Sequence, residues 1–142
     1  MPTGLVGDGF RLSPLLPEHN AQDYAAWTTS SEHIHATPGF VDWSWPREMT
    51  VEENLDDLRG HEADFKARRG FTYTVLDPAG DVIGCVYLYP SKRPGYDVNI
   101  RSWVRADHGH LDEAVHDAVS AWVSELWPFD AVDYAPRRRS ES

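Results

Sequence analysis

The chain has 142 residues, of which 41% are hydrophobic, and this content predicts a folded domain with a buried core rather than a disordered chain. The formal net charge of −10 disfavours nucleic acid as a partner, because binding to a phosphate backbone needs clustered Lys and Arg. The single cysteine, Cys85, excludes an internal disulfide, and no apolar run approaches the roughly 20 residues that cross a bilayer, so no membrane partner is expected.

The N-terminal part of the chain predicts a strand followed by helical segments. Residues 1–9 lack the basic start and apolar stretch of a signal peptide, so we expect a cytoplasmic protein. Residues 10–16 alternate weakly between apolar and polar and predict a first strand. Pro17 suits the first turn of a helix, where its missing N–H costs nothing. Ser30 or Ser31 is a candidate cap for a further short helical turn.

The clearest helix start in the sequence is a capping box. Thr50-Val51-Glu52-Glu53 places Thr50 as the cap and lets Glu53 reach back to the Thr50 amide. Basic residues followed by Gly70 are the expected signal for the end of this helix. The side chains that recur at helical spacing between these signals are Val51, Leu55, Leu58, Glu62 and Phe65.

The middle of the chain predicts a three-stranded antiparallel meander. Residues 71–76 are rich in aromatic and β-branched side chains, and residues 77–80 form a turn in which the glycine supplies positive φ. Residues 81–89 are the return strand. Residues 96–104 alternate and predict a third strand. Cys85 lies in an apolar run, so we expect it to be buried as a small hydrophobe and not to act as a nucleophile.

The last long helix is strongly amphipathic and is followed by a short strand. Asp107 is a candidate cap, and Pro128 would end the helix. Residues 131–135 predict the final strand, and a strand–helix–strand passage implies a parallel, right-handed crossover. The apolar stripe of the helix consists of Leu111, Ala114, Val115, Ala118, Val119, Trp122, Val123 and Leu126.

This order of elements resembles the fold of the GCN5-related N-acetyltransferases (GNAT). Residues 71–86, with the pair Ile83-Gly84, resemble the second and third strands of that family. Residues 12–27 resemble its first strand and helix, and residues 96–122 resemble its fourth strand and central helix. The resemblance implies an α+β fold, with a mixed, mostly antiparallel sheet flanked by helices.

The resemblance covers about residues 10–135 and has consequences for the C-terminus. GNAT proteins usually continue after the fifth strand with a helix and two more strands, and we expect this fold to lack them. We predict a single domain over residues 1–136 and a polar C-terminal tail over residues 137–142. The last strand would then be an exposed edge, which invites pairing, so a homodimer is expected.

The resemblance also implies acetyl-CoA as cofactor, bound beside the fourth strand with its pyrophosphate at the next helix N-terminus, where free amides and the helix dipole favour an anion. The family's loop has the pattern Arg/Gln-x-x-Gly-x-Gly/Ala. Here only Gly109 matches, because Ala106 and Leu111 stand at the other signature positions. Carboxylates at Asp107 and Asp112 would weaken anion binding further. The implied cofactor-binding residues are Ile100, Ser102, Val104, Arg105, His108, Gly109 and His110.

No catalytic residue is fixed by the sequence. A transferase that acts on an amine needs a base to accept a proton. Asp97 and His110 are the candidates that lie closest to the implied cofactor, and Glu53 and His33 are further options. Six aromatic residues either line an acceptor pocket or belong to the core, namely Trp27, Trp43, Trp45, Tyr87, Tyr89 and Trp103.

Two functional hypotheses follow. The first is an N-acetyltransferase that transfers the acyl group from acetyl-CoA to a small-molecule amine or a protein N-terminus, with its activity intact, weakened or lost. The alternative is a non-catalytic GNAT-fold domain that binds a small molecule or a protein. The histidine pairs His33-x-His35 and His108-x-His110 could bring metal ligands together, but surface or capping roles are expected and no metal is predicted.

Overall fold

The structure is a computed structural model that describes residues 2 and 4–137. The predicted polar tail therefore lies outside the described residues, apart from Arg137. The described strands are β1 (Leu5–Gly7), β2 (Phe10–Pro14), β3 (Phe71–Leu76), β4 (Val82–Pro90), β5 (Val98–Val104) and β6 (Val132–Tyr134). The described helices are α1 (Asn20–Thr28), α2 (Ser31–His35), α3 (Val51–Lys66) and α4 (Asp112–Leu126), with 3-10 segments at Pro17–His19 and Ala106–Leu111.

All six described strands form one sheet in the order β1-β2-β3-β4-β5-β6. Every neighbouring pair is antiparallel except β5 and β6, which are parallel and are connected through α4. This arrangement confirms the predicted mixed, mostly antiparallel sheet. The β5–β6 pairing runs only from Val98↔Val132 to Ile100↔Tyr134. β5 continues to Val104 without β6 beside it, so the two strands diverge next to the start of α4.

Local signals explain where α3 begins and ends. The predicted capping box is confirmed: the Glu53 amide donates to Thr50 Oγ1 (3.1 Å), and the Thr50 amide donates to Glu53 Oε1 (2.9 Å). The positive φ that ends the helix belongs to Arg68 (+58°) and not to Gly70. Gly70 is required for a different reason, because an added Cβ would lie 2.1 Å from the ring of Tyr89.

The β3–β4 hairpin is confirmed, with Gly80 at a φ of +91° in its turn. In β4, Gly84 allows a close approach of β5, because an added Cβ would lie 2.3 Å from the carbonyl oxygen of Trp103. Cys85 is fully buried, as expected, and burial raises the pKa of its thiol well above the usual range.

The sheet is packed on both faces. One face packs against α4, whose buried residues are Val115, Val119, Trp122 and Val123. The other face packs against α1, α2 and α3, with Trp27, Ile34, Phe40, Leu58 and Trp103 in its core. β3 and β4 are buried on both faces, as central strands should be. Leu126, at the end of the predicted stripe on α4, is 61% exposed.

The segment before α4 differs from the prediction. The residues up to Leu111 form a 3-10 segment, and α4 begins only at Asp112. Asp107 does not cap the helix, because its carboxylate binds the Arg105 guanidinium and the His108 ring. Ser30 stands at the N-cap position of α2, as predicted, but its hydroxyl accepts a hydrogen bond from the Ala106 amide and not from the amides of α2. No helix among the described residues is long and apolar enough to cross a membrane.

Candidate active site

A deep pocket lies on the face of the sheet that α3 covers. Its volume is about 1020 Å³, and its walls come from α1, α3, the loop before α3, β4 and β5. Four of the six aromatic residues singled out in the sequence line it, namely Trp43, Trp45, Tyr87 and Tyr89. The other two, Trp27 and Trp103, are buried in the core. A large, mostly apolar cavity with a few polar groups is the usual form of a small-molecule site.

Charged side chains of both signs line this pocket. The cations are Arg47, Lys92, Arg93 and Arg101, and they lie together on a chain with 13 Lys and Arg against 23 Asp and Glu. Arg101 is held in place, because its guanidinium stacks over the Trp43 ring (3.8 Å) and its Nε donates to the Gly39 carbonyl (2.9 Å). The acids that line the pocket include Asp57 and Asp133.

A buried polar network borders the pocket between α1 and α3. Asn54 Nδ2 donates to Asp23 Oδ2 (3.1 Å) and to Asn20 Oδ1 (2.8 Å), and Asn54 Oδ1 accepts from Trp27 Nε1 (3.0 Å). Asp23 is 4% exposed. Burial raises the pKa of Asp23 to about 6, although the hydrogen bond from Asn54 acts in the opposite direction. Asp23 is therefore a carboxyl group that changes charge near neutral pH.

A second network of hydrogen-bonded side chains includes His61, which lines the pocket from α3. His61 Nδ1 lies 2.8 Å from Tyr89 Oη and 3.1 Å from Thr72 Oγ1. Tyr89 Oη in turn donates to Asp64 Oδ2 (2.9 Å). Burial lowers the pKa of His61, while Asp57 and Asp64 oppose that shift. The imidazole is therefore held in a fixed orientation and favours its neutral form.

The opening between β5 and β6 is filled by the chain itself. The Arg137 side chain is 3% exposed. It donates to Ser102 O (2.6 Å), Pro38 O (3.2 Å) and Asp112 Oδ2 (2.8 Å). The Tyr134 hydroxyl is hydrogen-bonded to the Ser102 hydroxyl. These contacts occupy the place where β5 and β6 diverge beside the start of α4.

The loop that leads into α4 uses several of its amides internally. The Arg105 amide donates to the Ile83 carbonyl (2.7 Å), and the His108 amide donates to the Arg105 carbonyl (2.8 Å). Hydrogen bonds from Arg105 and His108 hold the pKa of Asp107 well below its usual range, so this carboxylate stays charged and is paired with the Arg105 guanidinium. An anion at this loop meets fewer free donors than an ordinary helix N-terminus would offer.

One feature of the loop suits an anion. At Gly109, an added Cβ would lie 3.4 Å from His33 Cε1, so the α2 histidine packs over this glycine. His33 Nε2 is buried and has no hydrogen-bond partner among the described residues. A buried ring nitrogen of this kind could donate to a phosphate oxygen at Gly109. Gly109 and His33 are thus the part of the loop that could accommodate a phosphate group, whereas the strand opening next to it is closed by Arg137.

The residues predicted from the sequence fall into separate environments. Ile100 and Val104 are buried in the core that packs against α4, while His108 and His110 stack at 5.9 Å on the surface of the loop. The Asp97 carboxylate accepts from the amides of residues 130 and 131, and these bonds lower its pKa. Asp97 does not line the pocket, and neither does His110.

The sequence arguments did not single out four residues that shape the site, namely Asp23, His61, Tyr134 and Arg137. A signal for His61 was present: it lies three residues after Leu58 and four before Phe65, on the same side of α3. The helical stripe was assigned instead to Glu62. Among residues 2 and 4–137, no group of three or more His, Cys, Asp or Glu side chains is arranged to hold a metal ion.

The family is established by sequence. Residues 10–137 match the family described as Acetyltransferase (GNAT) domain. The chain belongs to the GNAT acetyltransferase family. Comparison with curated protein sequences gives no significant match.

Solved structures of low sequence identity share the fold. The ribosomal-protein-S5-alanine acetyltransferase from Vibrio fischeri is 12% identical with a TM-score of 0.69, over 89% of this chain and 68% of its own. An acetyltransferase from Salmonella typhimurium that modifies the N-terminal serine of ribosomal protein L7/L12 is 10% identical with a TM-score of 0.63, over 82% of this chain and 64% of its own. The microcin C7 self-immunity acetyltransferase, solved with acetyl-CoA and AMP, is 12% identical with a TM-score of 0.64, over 88% of this chain and 67% of its own.

Proposed function

We propose that the protein is an N-acetyltransferase that transfers the acyl group of acetyl-CoA to an amine bound in the pocket beside β4 and β5. The observation that carries this proposal is the pocket of about 1020 Å³. It lies next to the diverging strands β5 and β6 in a chain that belongs to the GNAT family. Aromatic walls suit the apolar body of an acceptor, and Asp57 suits an ammonium group.

Two classes of acceptor fit this proposal. One neighbour in fold modifies the N-terminal serine of ribosomal protein L7/L12, another is named for an alanine of ribosomal protein S5, and a third was solved with AMP. A protein N-terminus and a small-molecule amine therefore both stay candidates for this chain. The cations at the pocket, such as Lys92 and Arg93, favour an acceptor that also carries an anionic group.

Acetyl-CoA would be held along β5 and at the loop before α4. The sequence-based candidates for this role stay Ile100, Ser102, Val104, Arg105, His108, Gly109 and His110. His33 joins them, since its free ring nitrogen lies beside Gly109. Bound acetyl-CoA supplies the activated acyl group; the protein supplies the surfaces that hold it and the amine together. Arg137 must leave the strand opening before the cofactor can enter it.

Calorimetry with acetyl-CoA tests the proposal. We expect saturable binding below millimolar concentration for the intact chain, followed by release of CoA when an amine is added. Gly109→Glu should abolish binding, because it places a carboxylate where the phosphate would lie. Gly60→Glu is the matched control, since an added Cβ at this exposed position on α3 meets nothing within 4 Å. No binding by the wild-type chain would refute the transferase, and unchanged binding by Gly109→Glu would refute the loop assignment.

The second candidate function, a non-catalytic domain that binds a ligand in the same pocket, is favoured by one observation. Arg137 is almost fully buried, and its hydrogen bonds close the strand opening. A domain that never admits acetyl-CoA would retain this arrangement. In that case ligands would bind in the pocket without any release of CoA.

Other parts of the proposal concern the setting of the protein. A cytoplasmic location is proposed because acetyl-CoA is available there. One domain over residues 1–136 is proposed because all described strands belong to one sheet. A homodimer through β6 is proposed because β6 lies at the edge of the described sheet. Light scattering on the intact chain at micromolar concentration would test the dimer.

A further inference from the structure

We propose that His61 is the catalytic base that takes a proton from the acceptor amine through its Nε2 atom. The inference rests on the proposed acyl transfer and assigns one of its steps to a side chain in the pocket. It comes from the hydrogen bonds at the Nδ1 atom of the imidazole ring. These bonds determine which ring nitrogen carries the proton.

The protonation of the ring follows from its partners. Tyr89 Oη has one proton, and it donates this proton to Asp64 Oδ2 at 2.9 Å. Tyr89 keeps that proton over the physiological range, because burial raises its pKa to about 12. Tyr89 Oη can therefore only accept from His61 Nδ1, which lies 2.8 Å away. His61 Nδ1 carries the proton, so the neutral imidazole has its lone pair on Nε2.

The lone pair is available on the pocket side. Among the described residues, no hydrogen bond to His61 Nε2 is present, and His61 lines the pocket next to Tyr87, with 5.7 Å between ring centroids. β4 pairs with β5 so that Tyr87 lies opposite Arg101 and Tyr89 opposite Asn99. His61 therefore lies above the strand that neighbours β5, where the acyl group would be presented.

Several charged or titratable groups act on the imidazole. On α3, Asp57 and Asp64 favour its protonated form, but burial is the larger effect and lowers its pKa. From β4, the groups are the hydroxyls of Tyr87 and Tyr89, which stay protonated because burial raises their pKa values. Across the pocket, the charged groups are the cations Arg47, Lys92, Arg93 and Arg101. The neutral form is thus the one that meets the substrate.

The step conserves protons and electrons. The acceptor enters as an ammonium ion, R–NH₃⁺, and one N–H bond breaks with its electron pair left on nitrogen. His61 Nε2 takes the proton and becomes an imidazolium, whose Nδ1–H still donates to Tyr89. The free amine then attacks the thioester carbonyl carbon, the C–S bond breaks, and a second N–H proton accompanies the thiolate. His61 returns its proton to solvent after the amide product forms.

Two measurements test the assignment. The first is the tautomer of His61, observed by long-range ¹H–¹⁵N correlation at pH 8 and assigned with the His61→Gln variant. We expect a proton on Nδ1 and a shift of the Nε2 resonance when 2-phenylethylamine is added. A proton on Nε2 would overturn the proposal whatever the activity of the chain, because that nitrogen could not accept another.

The second measurement is the pH profile of kcat/KM, with acetyl-CoA and either 2-phenylethylamine or Ala-Phe-amide, whichever turns over faster. We expect His61→Gln to lower kcat/KM at pH 7 by about 10²–10⁴-fold. The loss should shrink as the pH nears the ammonium pKa, since solvent then supplies free amine. Glu62→Gln on the same helix should match the wild type, because Glu62 does not line the pocket and forms its ion pair with Lys66, one turn further along α3.

The failure of this inference can be told apart from the failure of the transferase. An active wild-type chain whose His61→Gln variant keeps the same rate and pH profile would overturn the role of His61 alone. A wild-type chain that neither binds acetyl-CoA nor releases CoA would overturn the acyl transfer and the base together. Tyr89→Phe separates positioning from proton transfer, because it removes the nearer of the two oxygens at Nδ1, leaving Thr72 Oγ1 at 3.1 Å, and keeps the imidazole. We expect a smaller loss and a mixture of tautomers.

Discussion

Asp23 illustrates how a single buried carboxyl group can make stability depend on pH. Its pKa in the folded chain is raised from 3.8 to about 6, mainly by burial, so the folded state favours the protonated form. The contribution of Asp23 to stability is therefore complete below about pH 4 and is lost as the pH rises through about 6. A shift of this size corresponds to about 3 kcal/mol, since one pKa unit is about 1.4 kcal/mol.

We predict that Asp23→Asn removes this pH dependence. The amide cannot ionise, and its oxygen can still accept from Asn54 Nδ2, which now lies 3.1 Å from Asp23 Oδ2. Relative to wild type, the free energy of unfolding should gain up to about 3 kcal/mol at pH 8 and little at pH 4, as measured by urea unfolding. Asp56→Asn is the control, because Asp56 is exposed and pairs only with Arg59. An equal effect of Asp23→Asn at both pH values would show that the carboxyl group is not desolvated.

Tyr89 shows how a residue in one strand depends on a glycine far from it in sequence. Its ring occupies the space that a Cβ at Gly70 would fill, and its hydroxyl connects His61 to Asp64. The sequence suggested Gly70 as a helix stop, which is a common use of glycine. Its use here is steric, and only the position of Tyr89 on β4 reveals it.

At the level of elements, the start of α3 is the feature that local sequence determines most directly. Both hydrogen bonds of the capping box join residues that lie three apart. We predict that Thr50→Ala destabilises the chain by about 1 kcal/mol, within the range of about 0.5–2 kcal/mol seen for lost caps. The denaturation midpoint in urea should fall, while the m-value should not change.

Thr28→Ala is the matched control for the cap. The Thr28 hydroxyl also bonds to the backbone, but it donates to the Tyr24 carbonyl (2.6 Å) of its own helix, where such a bond adds little stability. We expect a change below about 0.5 kcal/mol for this exposed substitution. If both variants lose the same stability, the loss would come from the threonine itself and not from the cap.

The sequence predicted the elements whose signals are local. The hairpin follows from the turn at residues 77–80, and α4 from the spacing of its apolar stripe. The short strand β1 was missed, because three residues carry too little pattern to be distinguished from a loop. The sequence predicted a helix that follows Asp107 as its cap, but α4 begins only at Asp112, and Asp107 engages Arg105 and His108 in place of the helix amides.

The candidate site was harder to predict than the fold, because its contacts join distant parts of the chain. The sequence left six aromatic residues as either pocket lining or core, and four of them line the pocket whereas two are in the core. The partners of His61 come from β3, β4 and α3 and are set by the pairing of strands, which no local pattern specifies. The filling of the strand opening by Arg137 depends on contacts with residues up to 99 positions away.

At the scale of the whole molecule, the two faces of the sheet have separate roles. The pocket lies on the α3 face and Asp112 begins α4 on the other face, whereas Arg137 binds both Asp112 and the Pro38 carbonyl after α2. The opening between β5 and β6 connects these two faces. If the acyl group passes from a cofactor on the α4 side to an amine in the pocket, it passes this opening, which the Arg137 side chain fills.

The double variant Arg137→Ala/Asp112→Asn tests this role, because it removes the guanidinium without leaving Asp112 buried and unpaired. If the closed arrangement accounts for 90% of the molecules, its removal tightens the apparent Kd for acetyl-CoA about tenfold. The hydrogen bonds of Arg137, at about 0.5–1.5 kcal/mol each, are sufficient to hold such a population. Calorimetry should therefore show tighter binding by about tenfold or more, whereas Asp112→Asn alone keeps the guanidinium in place and should bind much as the wild type does. An unchanged Kd in the double variant would mean that Arg137 does not obstruct the cofactor, and the opening would then have to be closed by Tyr134 and Ser102 alone.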